Sequence, residues 1–214
     1  GINNALTSVQ SIASTLGVNV GQLKALLDVS SVSVSNGAVS LHDGNDTPIR
    51  QMGTGSTRLL LAGLQKLVSK SKLLLIDEVE FGLEPFRISR LLKEIGAKDN
   101  QPTQQVFITT HSPYVLRELK SSQLHVLRKC FSQGQPQIRH CVFSMNDSDD
   151  HQSTLRVCAE AFLSNKVVVC EGKTEIGLLK GVDLVEQAEG RYSIQALGVM
   201  HADGSGSQMF KRAK

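Results

Sequence analysis

The chain has 214 residues, 40% hydrophobic and 20% charged, with a formal net charge of +3, so it has room for one large or two small domains. Aromatics make up only 4% and Trp is absent, which argues against a base-stacking surface of the single-strand-binding type. The mild positive balance is compatible with nucleic acid without pointing to it.

Residues 2–28 carry two short helical patterns. Val9, Ile12 and Leu16, then Val20, Leu23, Leu26 and Leu27, recur at threes and fours and are broken at Gly17. Between 31 and 42 the period changes: Val32, Val34, Val39 and Leu41 alternate with polar residues around Asn36-Gly37, a strong hairpin signal. Asp43-Gly44-Asn45-Asp46 reads as a turn, and Pro48 begins the approach to the next element. Gln51-Met52-Gly53-Thr54-Gly55-Ser56 then opens a helix that Ser56 or Thr57 can cap, with Leu59, Leu60, Leu61, Leu64, Leu67 and Val68 as its apolar face. Such a start presents free N–H groups and a positive dipole end to an anion; equally, the glycines can serve chain reversal alone.

Lys72-Leu73-Leu74-Leu75-Ile76 suits a strand buried on both faces of a parallel sheet, and Asp77-Glu78 follow at its end. A carboxylate there can hold Mg²⁺ on a nucleotide while its neighbour poises a water; the pair can also simply begin a polar loop. An amphipathic helix through Ile88, Leu91, Leu92 and Ile95 comes next and stops at Gly96. Residues 103–110 contain a second buried strand, ending at His111-Ser112-Pro113, where His111 is either a phosphate-sensing donor or a loop histidine. Residues 123–128 and 137–144 alternate as two antiparallel edge strands.

Asn146-Asp147-Ser148-Asp149-Asp150 is the clearest polar break and the expected linker, followed by a helix over 155–163. Lys166-Val167-Val168-Val169-Cys170-Glu171-Gly172-Lys173-Thr174-Glu175 repeats the order of buried strand, acid and glycine turn into helix. Glu175 falls one turn from Glu171, so both carboxylates can face one cavity, as a divalent-metal site requires. Residues 191–200 form a further strand-like run before Asp203-Gly204-Ser205-Gly206-Ser207, and a helical pattern runs to Lys214. Cys130, Cys141, Cys158 and Cys170 are widely spaced with no C-x-x-C pair, which argues against zinc and a disulfide framework and for a reducing cytoplasm. No apolar run approaches about 20 residues, so no membrane span is expected. The N-terminus is not a signal peptide.

The Gly-x-Gly-Ser helix start, the strand ending Asp77-Glu78 and the strand ending His111 together resemble the signature, Walker B and switch-histidine elements of ABC-type ATPases. Residues 159–175 look like the opening of a TOPRIM domain. ABC ATPase followed by TOPRIM is the arrangement of the OLD (overcoming lysogenization defect) family of ATP-dependent nucleases. The resemblance implies an α/β fold: an ABC-ATPase-like partial sheet with flanking helices over 1–145, a linker over 146–158, and the N-terminal part of a Rossmann-like TOPRIM domain over 159–214. It implies ATP and Mg²⁺ (or Mn²⁺ at the TOPRIM site) as cofactors and DNA as partner. It also implies a homodimer or higher homo-oligomer formed through the ATPase, and no membrane.

By the same resemblance Asp77 binds Mg²⁺, Glu78 positions the attacking water and His111 senses the γ-phosphate. Gly53, Thr54, Gly55 and Ser56 cap nucleotide held by a second subunit, with residues 81–85 at the seam. Glu171 becomes a metal ligand or general acid/base, with Glu175 a second-rank candidate for metal ligand. Two departures accompany the match. The chain has no G-x-x-x-x-G-K-[ST], and no Asp-x-Asp follows Glu171, so it is expected to be an internal piece with neither activity alone. Asp203 lies in a Gly/Ser loop and is not taken as a ligand. A DNA-repair or chromosome ATPase of the RecF/SMC type is the alternative for residues 1–145; a transporter motor subunit fits less well, because the 80–85 segment differs from that family's seam.

Overall fold

The apolar spacing at the N-terminus becomes helix α1 (Ile2–Thr15), which buries Val9 and Ala13. Gly17 ends it at φ +70°, a conformation open to glycine at little cost, while Val18 N–H closes back onto Ala13 O at 2.8 Å. In this computed structural model the described residues are 1–27, 39–68, 71–102, 104–131 and 138–213. They form two compact units, Gly1–Thr110 and His111–Lys214.

In the first unit the second helical pattern is not a helix. Residues Lys24–Leu27 are strand β1, antiparallel to β2 (Val39–His42), with Ala25 opposite Leu41. Val20 and Leu23 are both buried in the loop leading into β1, so their spacing of three is satisfied without a helix. The hairpin residues Val32, Val34, Asn36 and Gly37 lie outside the described residues. The turn over 43–46 is present: Asp43 Oδ1 accepts the N–H groups of Asn45 (2.9 Å) and Thr47 (2.8 Å).

Helix α2 (Thr54–Val68) begins earlier than the capping residues proposed for it, so Ser56 and Thr57 lie inside its first turns. Leu59 and Leu60 are buried. A Cβ at Gly63 would collide with Ile12 and Leu16, so the absent side chain lets α1 and α2 approach closely. Helix α3 (Pro85–Glu94) has Pro at its first position, buries Ile88, Leu91 and Leu92, and ends before Gly96 at φ +86°, as its spacing requires.

Strands β3 (Leu73–Ile76) and β4 (Gln105–Ile108) pair in parallel, with Leu75 opposite Phe107. Their burial differs from the expectation of two covered faces. Leu74, Ile76, Val106 and Ile108 are half-buried, but Leu75 is 69% and Phe107 53% exposed. A continuous apolar run permits burial on both faces, but the covering layer must come from elsewhere, and among the described residues none covers this one.

The second unit opens with helix α4 (Pro113–Glu118), which the sequence reading omitted; it buries Val115 and Leu116. Strands β5 (His125–Phe131) and β6 (Ile138–Ser144) form the expected antiparallel pair. Their ladder brings Cys130 and Cys141 to a Cα separation of 6.1 Å, joined as a disulfide. Cysteine spacing had argued against this, because a separation of eleven residues reveals nothing until the hairpin register closes it.

The stretch 146–158 is no bare linker. Residues Asp149–Cys158 form helix α5, capped by Ser148, whose hydroxyl accepts the His151 N–H at 3.2 Å. Asp149 and Asp150 occupy its first turn, where carboxylates favour the helix dipole. Leu155 is fully buried, and a 3-10 turn (Ala159–Leu163) continues to β7 (Lys166–Cys170). Strand β7 pairs in parallel with β8 (Val199–Asp203), and helix α6 (Lys173–Ala188) connects them; a short helix α7 (Met209–Arg212) follows. The two parallel pairs with their helices make this a mixed α/β fold built on small sheets. No helix among the described residues is long and apolar enough to cross a membrane.

If 146–158 is core rather than tether, Leu155→Ala costs about 2–5 kcal/mol of stability. Hydrogen exchange of second-unit amides measures it; a change near zero contradicts the burial.

Candidate functional site

Strand β3 hands over to Asp77 and Glu78 at its carboxyl end, the edge where open α/β sheets hold ligands. One side chain organises this edge. Thr109, just past β4, donates its hydroxyl to Asp77 Oδ1 and accepts the Glu78 N–H at 2.8 Å. Its backbone extends the ladder: Thr109 N–H reaches Ile76 O at 3.0 Å, and Val79 N–H reaches Thr109 O at 3.1 Å. Glu78 itself has φ +46°, a left-handed conformation uncommon outside glycine. Val79 is fully buried, Glu80 accepts the Thr110 hydroxyl at 2.7 Å, and the Asp77 and Glu78 side chains stay exposed.

The helix start at 53–56 lies against the same loop. A Cβ on Gly55 would strike the carbonyl oxygen of Gly82, which has φ +71°. Gly55 is therefore required by a backbone-to-backbone approach within the chain, whereas a Cβ on Gly53 would meet open space. Thr54 Oγ1 lies 3.1 Å from the place of a Cβ on Gly82, and Ser56 Oγ accepts from Arg87 at 3.1 Å. Arg58, a residue the sequence reading passed over, fastens the two pieces together. Its guanidinium donates to the carbonyls of Asp77, Glu78 (2.8 Å) and Phe81 (3.4 Å), and it stacks 5.5 Å from the Phe81 ring centroid. The available signal was a cation two residues past Ser56 on the same helix.

Asp77, Glu78 and residues 53–56 are thus brought together in the first unit. His111 opens the second unit, immediately before Ser112 and the start of α4.

The second strand-and-acid motif has its own geometry. Cys170, the last residue of β7, is the register partner of Asp203 at the end of β8. Glu171 follows with its carboxylate exposed, and its carbonyl accepts the Gly206 N–H at 2.7 Å. The Cys170 carbonyl accepts the Gly204 N–H, also at 2.7 Å. Glu175 turns back toward the helix start, accepting the Gly172 N–H at 3.0 Å. Asp203 accepts the Ser205 N–H at 2.8 Å. Burial pushes the Cys170 thiol above its ordinary range, and the nearby Glu175 and Asp203 carboxylates add to the shift. Among the described residues no group of three or more His, Cys, Asp or Glu is placed to hold a metal ion.

A parallel strand pair ending in an exposed Asp-Glu, locked against a glycine-rich helix start, is the architecture of an ATPase-type nucleotide-binding domain. Residues 9–117, just over half the chain, match the family described as "AAA domain, putative AbiEii toxin, Type IV TA system", and the chain belongs to that family. No curated protein matches it. Among solved structures, one described by "Structural biochemistry of ATP-driven dimerization and DNA stimulated activation of SMC ATPases" is similar at 14% identity and TM-score 0.38, over 67% of this chain and 86% of that one. The family assignment rests on the first of these comparisons.

Gly55→Ala drives a methyl group into the Gly82 carbonyl and lowers stability by about 1–3 kcal/mol, whereas Gly53→Ala has a much smaller effect. Urea denaturation of the two variants side by side measures the difference; equal effects contradict the close approach.

Proposed function

We propose that the chain belongs to an ATP-dependent DNA endonuclease of the OLD type, with residues 1–145 in its ATPase and 159–214 in a TOPRIM-like nuclease domain. The observation that best supports the ATPase half is the Thr109-bridged Asp77–Glu78 pair seated on the start of α2. In this reading Asp77 would hold Mg²⁺, Glu78 would position the attacking water, and His111 would read the terminal phosphate. Gly53, Thr54, Gly55 and Ser56 cap nucleotide held by a second copy, which makes the working form a homodimer or larger. No G-x-x-x-x-G-K-[ST] phosphate-cradling motif occurs in the sequence.

Asp77 fits a divalent cation: it is an exposed, hard oxygen donor, and one of its oxygens is oriented by the Thr109 hydroxyl. When bound, Mg²⁺ supplies charge neutralisation at the phosphates. Thr109 and Arg58 hold Asp77 and Glu78 in place, so that little reorganisation is needed when nucleotide arrives.

The second set fits a metal less well. Glu171 offers an exposed carboxylate, but Glu175 is engaged by the Gly172 N–H, and no third ligand among the described residues joins them. Glu171 stands as the residue to test, supported by its position directly after a parallel strand whose last residue, Cys170, is paired with Asp203.

In the full-length protein, Glu78→Gln slows ATP hydrolysis by about 10²-fold or more while nucleotide affinity stays the same, because shape is kept and a base is lost. Steady-state hydrolysis and equilibrium nucleotide binding measure the two effects; equal hydrolysis by both proteins assigns Glu78 another role. Glu171→Ala abolishes Mg²⁺- or Mn²⁺-dependent plasmid cleavage and leaves ATP hydrolysis intact. Cleavage that persists in the variant, or is absent from the parent, removes the nuclease and leaves a RecF/SMC-type ATPase as the reading.

A further inference from the structure

The β5–β6 hairpin carries a feature that neither the ATPase nor the nuclease reading uses. Cys130 and Cys141 are joined across it and are only half-buried, whereas Cys158 and Cys170 are buried and in no disulfide. The direct ladder partner of Cys141 is Arg128. Arg128 leaves the hairpin and donates from one guanidinium nitrogen to the carbonyls of Phe162 and Ser164, both at 3.0 Å. Those carbonyls close the 3-10 turn Ala159–Leu163 and stand directly before β7.

We propose that Cys130–Cys141 is a reversible thiol–disulfide site whose state is passed by Arg128 to the segment leading into β7. Three physical points support this. A partly exposed disulfide is open to thiol attack, unlike one sealed in a core. A two-stranded hairpin is marginal on its own, so its register depends strongly on a covalent cross-link. The residue opposite Cys141 is the one that grips the turn, so loosening of the ladder reaches Phe162 and Ser164 through a single side chain. Arg128, Lys129 and Arg139 also put positive charge around the pair, which attracts an anionic thiol such as glutathione.

The exchange is balanced by glutathione. One protein thiolate attacks oxidised glutathione and releases one glutathione thiol; the second protein thiolate then displaces the other glutathione as the Cys130–Cys141 bond forms. Excess reduced glutathione runs the same steps backward. The inference is independent of the nuclease reading, since it concerns the backbone before β7 and not the chemistry of Glu171.

The test uses the full chain equilibrated across a series of reduced-to-oxidised glutathione ratios. Thiol alkylation read by mass spectrometry gives the linked fraction, and amide hydrogen exchange is measured on the same samples. Cys130 and Cys141 are expected to convert together within the series, while Cys158 and Cys170 resist alkylation until denatured. Amides of residues 162–170 are expected to exchange several-fold faster in the reduced form. In Arg128→Gln the disulfide is expected to titrate as before, but residues 162–170 no longer respond. A pair that stays linked, or stays open, at every ratio overturns the proposal. So does unchanged exchange at 162–170 between the two forms, or a response that survives Arg128→Gln.

Discussion

A glutamate held in left-handed backbone is the constraint on which the first unit depends. Glu78 has φ +46°, a conformation that costs a non-glycine residue roughly 1–2 kcal/mol. Its N–H is taken by the Thr109 hydroxyl and its carbonyl by Arg58 and the Phe81 N–H, so both polar groups of the strained residue are satisfied. The turn this forces carries the chain back through Phe81 and Gly82 onto Gly55. The helix start at 53–56 and the acidic loop at 77–82 therefore behave as one object. A displacement at either is felt at the other through Arg58, which touches three carbonyls of the loop. The strained backbone lies at two exposed carboxylates, Asp77 and Glu78, and backbone strain of this kind clusters at functional sites.

The second unit follows the same order of strand, acid and glycine turn, but secures it differently. Here N–H groups of the Gly/Ser loop after β8 hold the carbonyls of Cys170 and Glu171. Gly204 is needed because a Cβ there would collide with the Cys170 carbonyl and with Met209. Glu175 lends its carboxylate to the helix start instead of to a cavity. Inside the same edge the Cys170 sulfur is buried with the Glu175 and Asp203 carboxylates close by, and both effects hold its thiol in the protonated form. Glu171 is an exposed acidic residue of that edge.

Much of this was legible from local chemistry. Apolar runs bounded by acids and glycines locate β3 and β7. Threefold and fourfold spacing locates α1, α2 and α3, and alternation locates β5 and β6. Gly17 and Gly96 mark helix ends because left-handed backbone is cheap only for glycine. Each of these signals sits within a few residues of the element it predicts. The acidic run at 146–150 shows the limit: its composition says polar break, yet Ser148, Asp149 and Asp150 are the cap and first turn of a helix that buries Leu155 and Cys158.

By itself the sequence determined where strands can end in carboxylates, where helices start and stop, and that the chain is α/β, since those follow from side-chain type and short-range spacing. Tertiary structure alone decided that residues 24–27 pair as a strand, that Leu75 and Phe107 face outward, and that Cys130 meets Cys141. It also decided that Thr109 and Arg58 lock the acidic loop, and that Glu175 caps a helix. The first four share a physical reason: each depends on a partner eleven or more residues away or on a covering layer that must be present, and a one-dimensional period carries no information about either. Glu175 differs, because its partner Gly172 is only three residues away and the spacing leaves it equally able to face a cavity or the helix start.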